Sequence, residues 1–301
     1  MPLNILLCAE DILSATLARD LCDRVVFERA EADWLRALWA PELRDTQRVW
    51  SGLDQDTWWS DRPTCGREAD LASVPNTIRV RETGRRKAFH GVAGLAFRTA
   101  LLAESLAIRP DVLVLAGDTD GEEDPARLRR AGVDGAAVSL PVLIAEPVRE
   151  AEAWVVAGFV PRNDAEQGRF NDVKKTLGFD PTASPERLLS DVSGDRRDTK
   201  MICRWLLGTD ALSPATERVR SCWLDSPLDL LIERGERCGL SSYVRQIESV
   251  LLPLLGDTPK PRPSRREALS LSRAELEVSP VENCLSRVID QSFFNVMVRS
   301  F

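Results

Sequence analysis

The chain has 301 residues, a formal net charge of −7 and 44% hydrophobic residues. This length and apolar content suffice for two domains or for one domain with additions, and the acidic balance excludes a protein that coats nucleic acid with its whole surface. No apolar run approaches the roughly 20 residues of a membrane span, and the first residues contain no basic leader. These features predict a cytoplasmic protein with no membrane partner.

The cysteine and histidine content narrows the chemistry further. Seven cysteines occur without a C-x-x-C pair, so the sequence indicates neither a disulfide framework nor a zinc site. His90 is the only histidine, which excludes a multi-histidine metal site. A histidine-based catalytic dyad or triad would have to use His90, although a lone histidine more often has a core or helix-start role.

The first predicted strand is the apolar run 3–9, which ends at Glu10. Residues 11–24 then show helical periodicity, so Glu10 lies at a strand-to-helix turn. Residues 31–75 contain five of the eight tryptophans and are interpreted as an insertion before the second strand. Their rings either fill a satellite core or form a surface for a partner, and the sequence leaves both alternatives open.

A basic cluster follows the second predicted strand, residues 77–80. It includes Arg85, Arg86 and Lys87 and precedes a predicted helix over residues 89–107. Such a run is either solvated surface or a phosphate contact, for which arginine is well suited because it can form paired hydrogen bonds.

The third predicted strand, residues 112–116, is followed by Gly117, Asp118 and Asp120. In open α/β sheets, ligands bind beyond the carboxyl ends of the strands, where Glu10 would also lie. Several negative charges at one edge repel each other unless a cation compensates, and Mg²⁺ prefers carboxylate oxygens. The alternative is that these residues are ordinary turn formers and helix-start acids.

The rest of the chain has a different character. The fourth strand is predicted over residues 137–145, and residues 161–256 are predicted to be mostly helical. Residues 257–301 combine a proline-rich basic linker with an apolar tail, which we expect to fold back on the body or to dock on a partner.

Three features resemble the TOPRIM fold of topoisomerases, primases and OLD-type nucleases. They are Glu10 after the first strand, Asp118-Thr-Asp120 after the third, and the later segment 147–154. The nearest group is that of stand-alone bacterial TOPRIM-like proteins, related to OLD-type and PARIS-type anti-phage effectors. In that group a D-P-K-like triplet often starts a helix, and the corresponding triplet in this chain is Asp198-Thr-Lys200. Asp11 departs from the glycine that usually follows the glutamate.

The resemblance implies an α/β protein: a small parallel-sheet, Rossmann-like TOPRIM domain over residues 1–160, followed by a mostly helical region. It also implies a Mg²⁺-dependent nuclease (Mn²⁺ being the alternative ion) that hydrolyses phosphodiester bonds of DNA or RNA, as the effector of an anti-phage defence system. The implied catalytic residues are Glu10, Asp118 and Asp120. The implied metal ligands are the same three residues with Glu122 and Glu152, and the implied nucleic-acid-binding residues are Arg85, Arg86, Lys87 and Lys200.

A second hypothesis is a non-catalytic TOPRIM module that binds an ATPase or sensor protein through the tryptophan-rich insertion and the apolar tail. Asp11 favours this alternative, whereas the intact glutamate and D-x-D favour the nuclease. The sequence also leaves open whether the chain forms a homo-oligomer.

Overall fold

Six strands and twelve α-helices make up the computed structural model, which describes residues 2–52, 77–79, 86–88, 91–119, 125–189 and 195–256. For residues 77–79, 86–88, 125 and 126, only the backbone is described. The strands are β1 (Leu3–Ala9), β2 (Arg48–Ser51), β3 (Thr77–Arg79), β4 (Arg86–Ala88), β5 (Val112–Ala116) and β6 (Val142–Ala145).

The helices fall into those that flank the sheet and a C-terminal group. The first are α1 (Ile12–Arg29), α2 (Asp33–Leu38), α3 (Arg44–Gln47), α4 (Gly91–Ser105), α5 (Pro125–Ala136) and α6 (Glu152–Ala157). The second are α7 (Asp164–Leu177), α8 (Thr199–Leu207), α9 (Glu217–Leu224), α10 (Leu228–Arg234), α11 (Leu240–Gln246) and α12 (Leu252–Leu254). A 3₁₀ turn, Pro185–Arg187, precedes α8, and a π-helical turn, Ile247–Leu251, connects α11 to α12. None of the described helices is long and apolar enough to cross a membrane.

Four strands form one parallel sheet in the order β2-β1-β5-β6. This arrangement confirms the predicted α/β class with a small parallel sheet. The strand predicted at 77–80 is present as β3, but it pairs antiparallel with β4 in a separate two-stranded sheet. The strand that pairs with β1 at the edge is β2, which lies inside the predicted insertion.

The strand β2 has only four residues, and an ion pair with α1 holds its first residue. Arg48 donates two hydrogen bonds, of 2.7 and 2.6 Å, to the carboxylate of Asp23 on α1, and both side chains are buried. Such paired contacts fix geometry more strongly than a single hydrogen bond does. Within the same segment, Trp39 packs into the main core, whereas Trp34 is half-exposed. Trp58 and Trp59 lie outside the described residues.

The two faces of the sheet are buried by different helices. On β1, Ile5 and Leu7 face a large core that also contains residues of α1 and of the C-terminal helices. Leu6 and Cys8 face a smaller core formed with α4 and α5. This alternation is expected for a strand covered on both sides. Residues 1–160 and the helical region 161–256 therefore share one core and belong to one compact unit, Met1–Lys260. The predicted linker and tail, 257–301, lie outside the described residues.

Candidate functional site

The carboxyl ends of β1 and β5 bring Glu10 and Asp118 together. Ala9 and Ala116 are register partners at these ends, and the Glu10 N–H donates to the Ala116 carbonyl at 3.0 Å. The Asp118 N–H in turn donates to Oε2 of Glu10 at 3.0 Å. Both acids are half-buried. Two turns separated by more than 100 residues thus meet through a carboxylate of one and a backbone amide of the other.

Asp11, which departs from the TOPRIM pattern, has a local structural role. It is the N-cap of α1, with extended backbone geometry, and its carboxylate accepts hydrogen bonds from the backbone N–H of Ser14 at 2.8 Å and from the Ser14 hydroxyl at 3.1 Å. Aspartate is among the preferred N-cap residues because it satisfies an otherwise unbonded amide of the first turn. Asp11 therefore marks the start of α1.

A third strand end contributes a buried ion pair. Glu146 directly follows β6 and forms a salt bridge with Arg129 of α5, and both side chains are buried. The Arg129 guanidinium also donates to the carbonyl of Gly117 at 2.9 Å and to that of Asp118. A buried charge pair of this kind needs additional hydrogen bonds to offset its desolvation. Arg129 therefore fixes the loop after β5 through hydrogen bonds to two of its backbone carbonyls.

Beyond Glu146, a second pair of acids faces a lysine from the helical region. Glu150 and Glu152 are both buried, at 5% and 7% exposure. The Nζ atom of Lys200, near the start of α8, lies 3.1 Å from Oε1 of Glu150, and its side chain is half-exposed. Glu150 was not among the predicted site residues, although it lies two positions before Glu152. The structure therefore places Lys200 against the acids of the same sheet edge.

The electrostatics of this group link the two sides of the site. Burial raises the pKa of Glu152 from 4.5 to about 7, with Lys200 acting in the opposite direction and Glu150 and Asp11 adding to the increase. For Lys200, partial burial lowers the pKa, but the carboxylates of Glu152, Glu150 and Asp118 outweigh it, so that the net shift is upward. Lys200 therefore stays a cation among the acids, while Glu152 can exchange a proton near neutral pH.

The loops after β5 and β6 are also joined directly, through Thr119 and Arg149. The Arg149 N–H donates to Oγ1 of Thr119 at 2.5 Å, and the Thr119 N–H donates to the Arg149 carbonyl at 3.2 Å. Arg149 has φ 75°, in the left-handed region that non-glycine residues rarely adopt. Neither residue was singled out by sequence analysis, because no local pattern connects two positions 30 residues apart.

Several predicted site residues fall outside what the structure describes. They are Asp120, Glu122 and Arg85. Arg86 and Lys87 are described only by the backbone of β4, where they are register partners of Arg79 and Ile78. The residues that the structure does bring to one edge are Glu10, Asp118, Glu152 and Lys200.

The donor chemistry of this edge suits a hard cation. Its side chains offer carboxylate oxygens, the ligands that Mg²⁺ prefers. Among the described residues, no group of three histidine, cysteine, aspartate or glutamate side chains is arranged to hold a metal ion. Asp120, the predicted third ligand, lies outside those residues, so the described part supplies two converging turns rather than a complete ligand set.

Comparisons of the chain with protein-family models, with curated proteins and with solved structures found no match. The resemblance to TOPRIM proteins therefore stays a prediction, made from the sequence motifs at Glu10, at Asp118-Thr-Asp120 and at the segment 147–154.

Proposed function

We propose that this chain is a metal-dependent TOPRIM nuclease that hydrolyses phosphodiester bonds of DNA or RNA as the effector of an anti-phage defence system. The observation that carries the proposal is the 3.0 Å hydrogen bond from the Asp118 N–H to Oε2 of Glu10. It brings the glutamate turn and the D-x-D turn to the same edge of a parallel sheet, where α/β proteins bind ligands.

In this proposal, Glu10 and Asp118 hold Mg²⁺ or Mn²⁺ with the help of Asp120, and Glu122 and Glu152 complete the acidic set. Such an ion, when bound, lowers the pKa of a coordinated water and offsets charge on phosphate oxygens. The carboxylate oxygens of Glu10, Asp118 and Glu152 support this assignment, because hard cations select oxygen donors.

Lys200 and Glu152 provide the other groups that phosphodiester hydrolysis requires. The Lys200 ammonium is half-exposed beside the acids, so it can attract a substrate phosphate to an edge that would otherwise repel it. Glu152, with a pKa of about 7, can accept or release a proton at neutral pH. Arg85, Arg86 and Lys87 are proposed to extend the phosphate contacts along the polymer.

The alternative, a non-catalytic module that binds an ATPase or sensor protein, is favoured by one observation. Lys200 forms an ion pair with Glu150, so part of the acidic charge at the edge is compensated by the protein itself. If the edge served only as a scaffold, this ion pair could compensate part of the negative charge there without a metal ion.

The test is nucleic-acid cleavage by the full chain. Plasmid, single-stranded DNA and tRNA are each incubated with Mg²⁺, with Mn²⁺ or with EDTA, for the wild type and for Glu10→Gln and Asp118→Asn. These changes keep the side-chain size but remove a charge. We expect metal-dependent cleavage in the wild type and a loss of roughly 100-fold or more in each variant, the scale for groups that stabilise charge in a transition state.

Asp172→Asn is the matched control, because Asp172 is exposed on α7 and the change removes the same charge elsewhere. Its cleavage rate should equal that of the wild type. Cleavage that persists in EDTA, or that Glu10→Gln and Asp118→Asn leave intact, overturns the proposal. A wild type that neither cleaves nor binds Mn²⁺ in calorimetry overturns it as well and supports the scaffold alternative.

A further inference from the structure

The contact between Thr119 and Arg149 joins the two acidic loops of the candidate site. Thr119 lies between Asp118 and Asp120, and Arg149 directly precedes Glu150. Each residue donates its backbone N–H to the other, Arg149 to the threonine hydroxyl at 2.5 Å and Thr119 to the arginine carbonyl at 3.2 Å. The contact therefore acts as a two-bond clamp across the sheet edge, which we call the 119–149 clamp.

The backbone conformation of Arg149 indicates that the surrounding fold imposes this contact. Its φ of 75° is unfavourable for a residue with a side chain and persists only where surrounding contacts determine it. Those contacts include the two bonds to Thr119 and, one residue earlier, the bond from the Val148 N–H to the Cys238 carbonyl at 2.9 Å. Strained backbone of this kind occurs preferentially at functional sites.

The threonine hydroxyl is the one side-chain group in the clamp, and it is shielded from water. Thr119 is 7% exposed, so water cannot readily replace the hydroxyl as the acceptor for the Arg149 amide. Serine would keep this acceptor, whereas valine would keep the side-chain shape and lose the acceptor. A pair of variants can therefore separate the hydrogen bond from the packing.

We infer that Thr119 is a positioning residue, whose hydroxyl sets the distance between the Asp118 loop and the Glu150–Glu152 segment through the 119–149 clamp. This inference rests on the proposed nuclease function, because the distance matters only if both loops act on one ion and one phosphate. The Thr119 hydroxyl accepts from the Arg149 N–H, so in this inference it acts through the neighbouring acids Asp118 and Glu150.

The experiment uses the full chain with Thr119→Val, Thr119→Ala and Thr119→Ser. Mn²⁺ affinity is measured by calorimetry, and kcat and KM by cleavage. Valine and alanine should weaken Mn²⁺ binding by about tenfold and lower kcat by a similar factor, the usual scale for groups that orient metal ligands. KM for nucleic acid should change by less than about twofold, because phosphate-binding side chains are retained. Serine should restore both values to within about twofold of the wild type.

Thr99→Val is the matched control. Thr99 is fully buried in α4, and its hydroxyl has no hydrogen-bond partner among the described residues. The same hydroxyl-to-methyl change there should leave Mn²⁺ affinity and kcat unchanged.

The cleavage assays and one exchange measurement decide the inference. If the wild type binds Mn²⁺ and cleaves but Thr119→Val does so equally well, the positioning role is overturned and the nuclease proposal stands. If the wild type does neither, the nuclease proposal fails and the inference falls with it. Hydrogen exchange of the Arg149 amide in the wild type needs no variant: slow exchange supports the clamp, and exchange as fast as in an open loop overturns it.

Discussion

Two connections at the same sheet edge carry the acids of the candidate site, and they are stabilised in opposite ways. The turn between β1 and α1 carries Asp11, whose carboxylate accepts hydrogen bonds from Ser14 three residues away. It also carries Glu10, which is hydrogen-bonded to Ala116 and Asp118 at the end of β5. The connection between β6 and α6, residues 146–151, is held by residues far away in sequence. Asp11 is thus positioned by its own helix, whereas Glu146 and Glu150 are positioned by side chains from other elements of the fold.

The distant contacts of the second connection come from several directions. Arg129 of α5 pairs with Glu146, Thr119 clamps Arg149, and Lys200 pairs with Glu150. The loop between α10 and α11 adds the Cys238 carbonyl, which accepts from the Val148 N–H at 2.9 Å and from the Trp154 indole at 2.6 Å. Loss of any one of these elements should therefore affect the second connection more than the first.

The largest loss of stability is expected from Gly239→Ala, which changes a residue that packs against the β6 connection. Gly239 has φ 87°, and a Cβ placed there would lie 2.0 Å from the Glu146 carbonyl oxygen. The alanine adds backbone strain and a clash with a main-chain carbonyl, which cannot rotate away as a flexible side chain can, so we expect the free energy of unfolding to fall by about 4 kcal/mol. Chemical denaturation measures it.

The control for this change is Gly178→Ala. Gly178 ends α7 with a similar φ of 73°, but nothing lies within 4 Å of the added Cβ. Only the backbone strain should remain, at about 1 kcal/mol. Equal losses for the two variants would show that the approach of residue 239 to the β6 connection is unimportant.

A smaller effect is expected from the pH dependence of stability at Glu152. Because burial raises the folded-state pKa of Glu152 from 4.5 to about 7, its protonated form stabilises the fold fully below about pH 4.5. This contribution is lost as the pH rises through about 7. For Glu152→Gln, we expect the fall in stability between pH 5 and pH 8 to be shallower than in the wild type by about 2 kcal/mol, since one pKa unit is worth roughly 1.4 kcal/mol.

The comparison of the two proteins is made by urea denaturation at each pH. Parallel stability curves for wild type and Glu152→Gln would mean that Glu152 is ionised in the fold throughout this range, as it would be if it were fully solvated.

The smallest change in stability is expected at Asp11, whose contacts are local. Asp11→Ala removes the N-cap of α1, and we expect it to lower the free energy of unfolding by about 1 kcal/mol. Asp11→Asn should cost clearly less, because asparagine caps almost as well while lacking the charge. If both changes destabilise equally, the charge of Asp11 rather than its hydrogen bonds to Ser14 determines its contribution.

Local physics explains which parts of this architecture could be predicted. The strands at 3–9 and 112–116 are continuous apolar runs, and such runs are typical of parallel strands buried on both faces. The side-by-side placement of Glu10 and Asp118 follows from parallel strand ends sharing one edge. The helices that contain 164–177, 199–207 and 240–246 begin or end at recognisable caps and glycines.

Other parts depend on partners that no local pattern reveals. The strand β2 has only four residues, and its arginine is buried because Asp23 of α1 binds it. Glu150 and Glu152 look alike in sequence, and only the position of Lys200 shows that Glu150 belongs to the same group. The roles of Thr119 and Arg129 likewise follow from loops that meet only in the folded chain.

The contact of Gly239 and Cys238 with the loop after β6 also has a consequence for synthesis. A nascent chain that has emerged from the ribosome only as far as residue 160 already contains every strand of the parallel sheet, together with Arg129 and Thr119. It lacks Lys200 and Cys238, which also hold the segment 146–151. Glu150 and its neighbours can make all of their native contacts only after the ribosome has synthesised the chain to about residue 240. A half-made molecule would therefore lack an assembled acidic edge during translation.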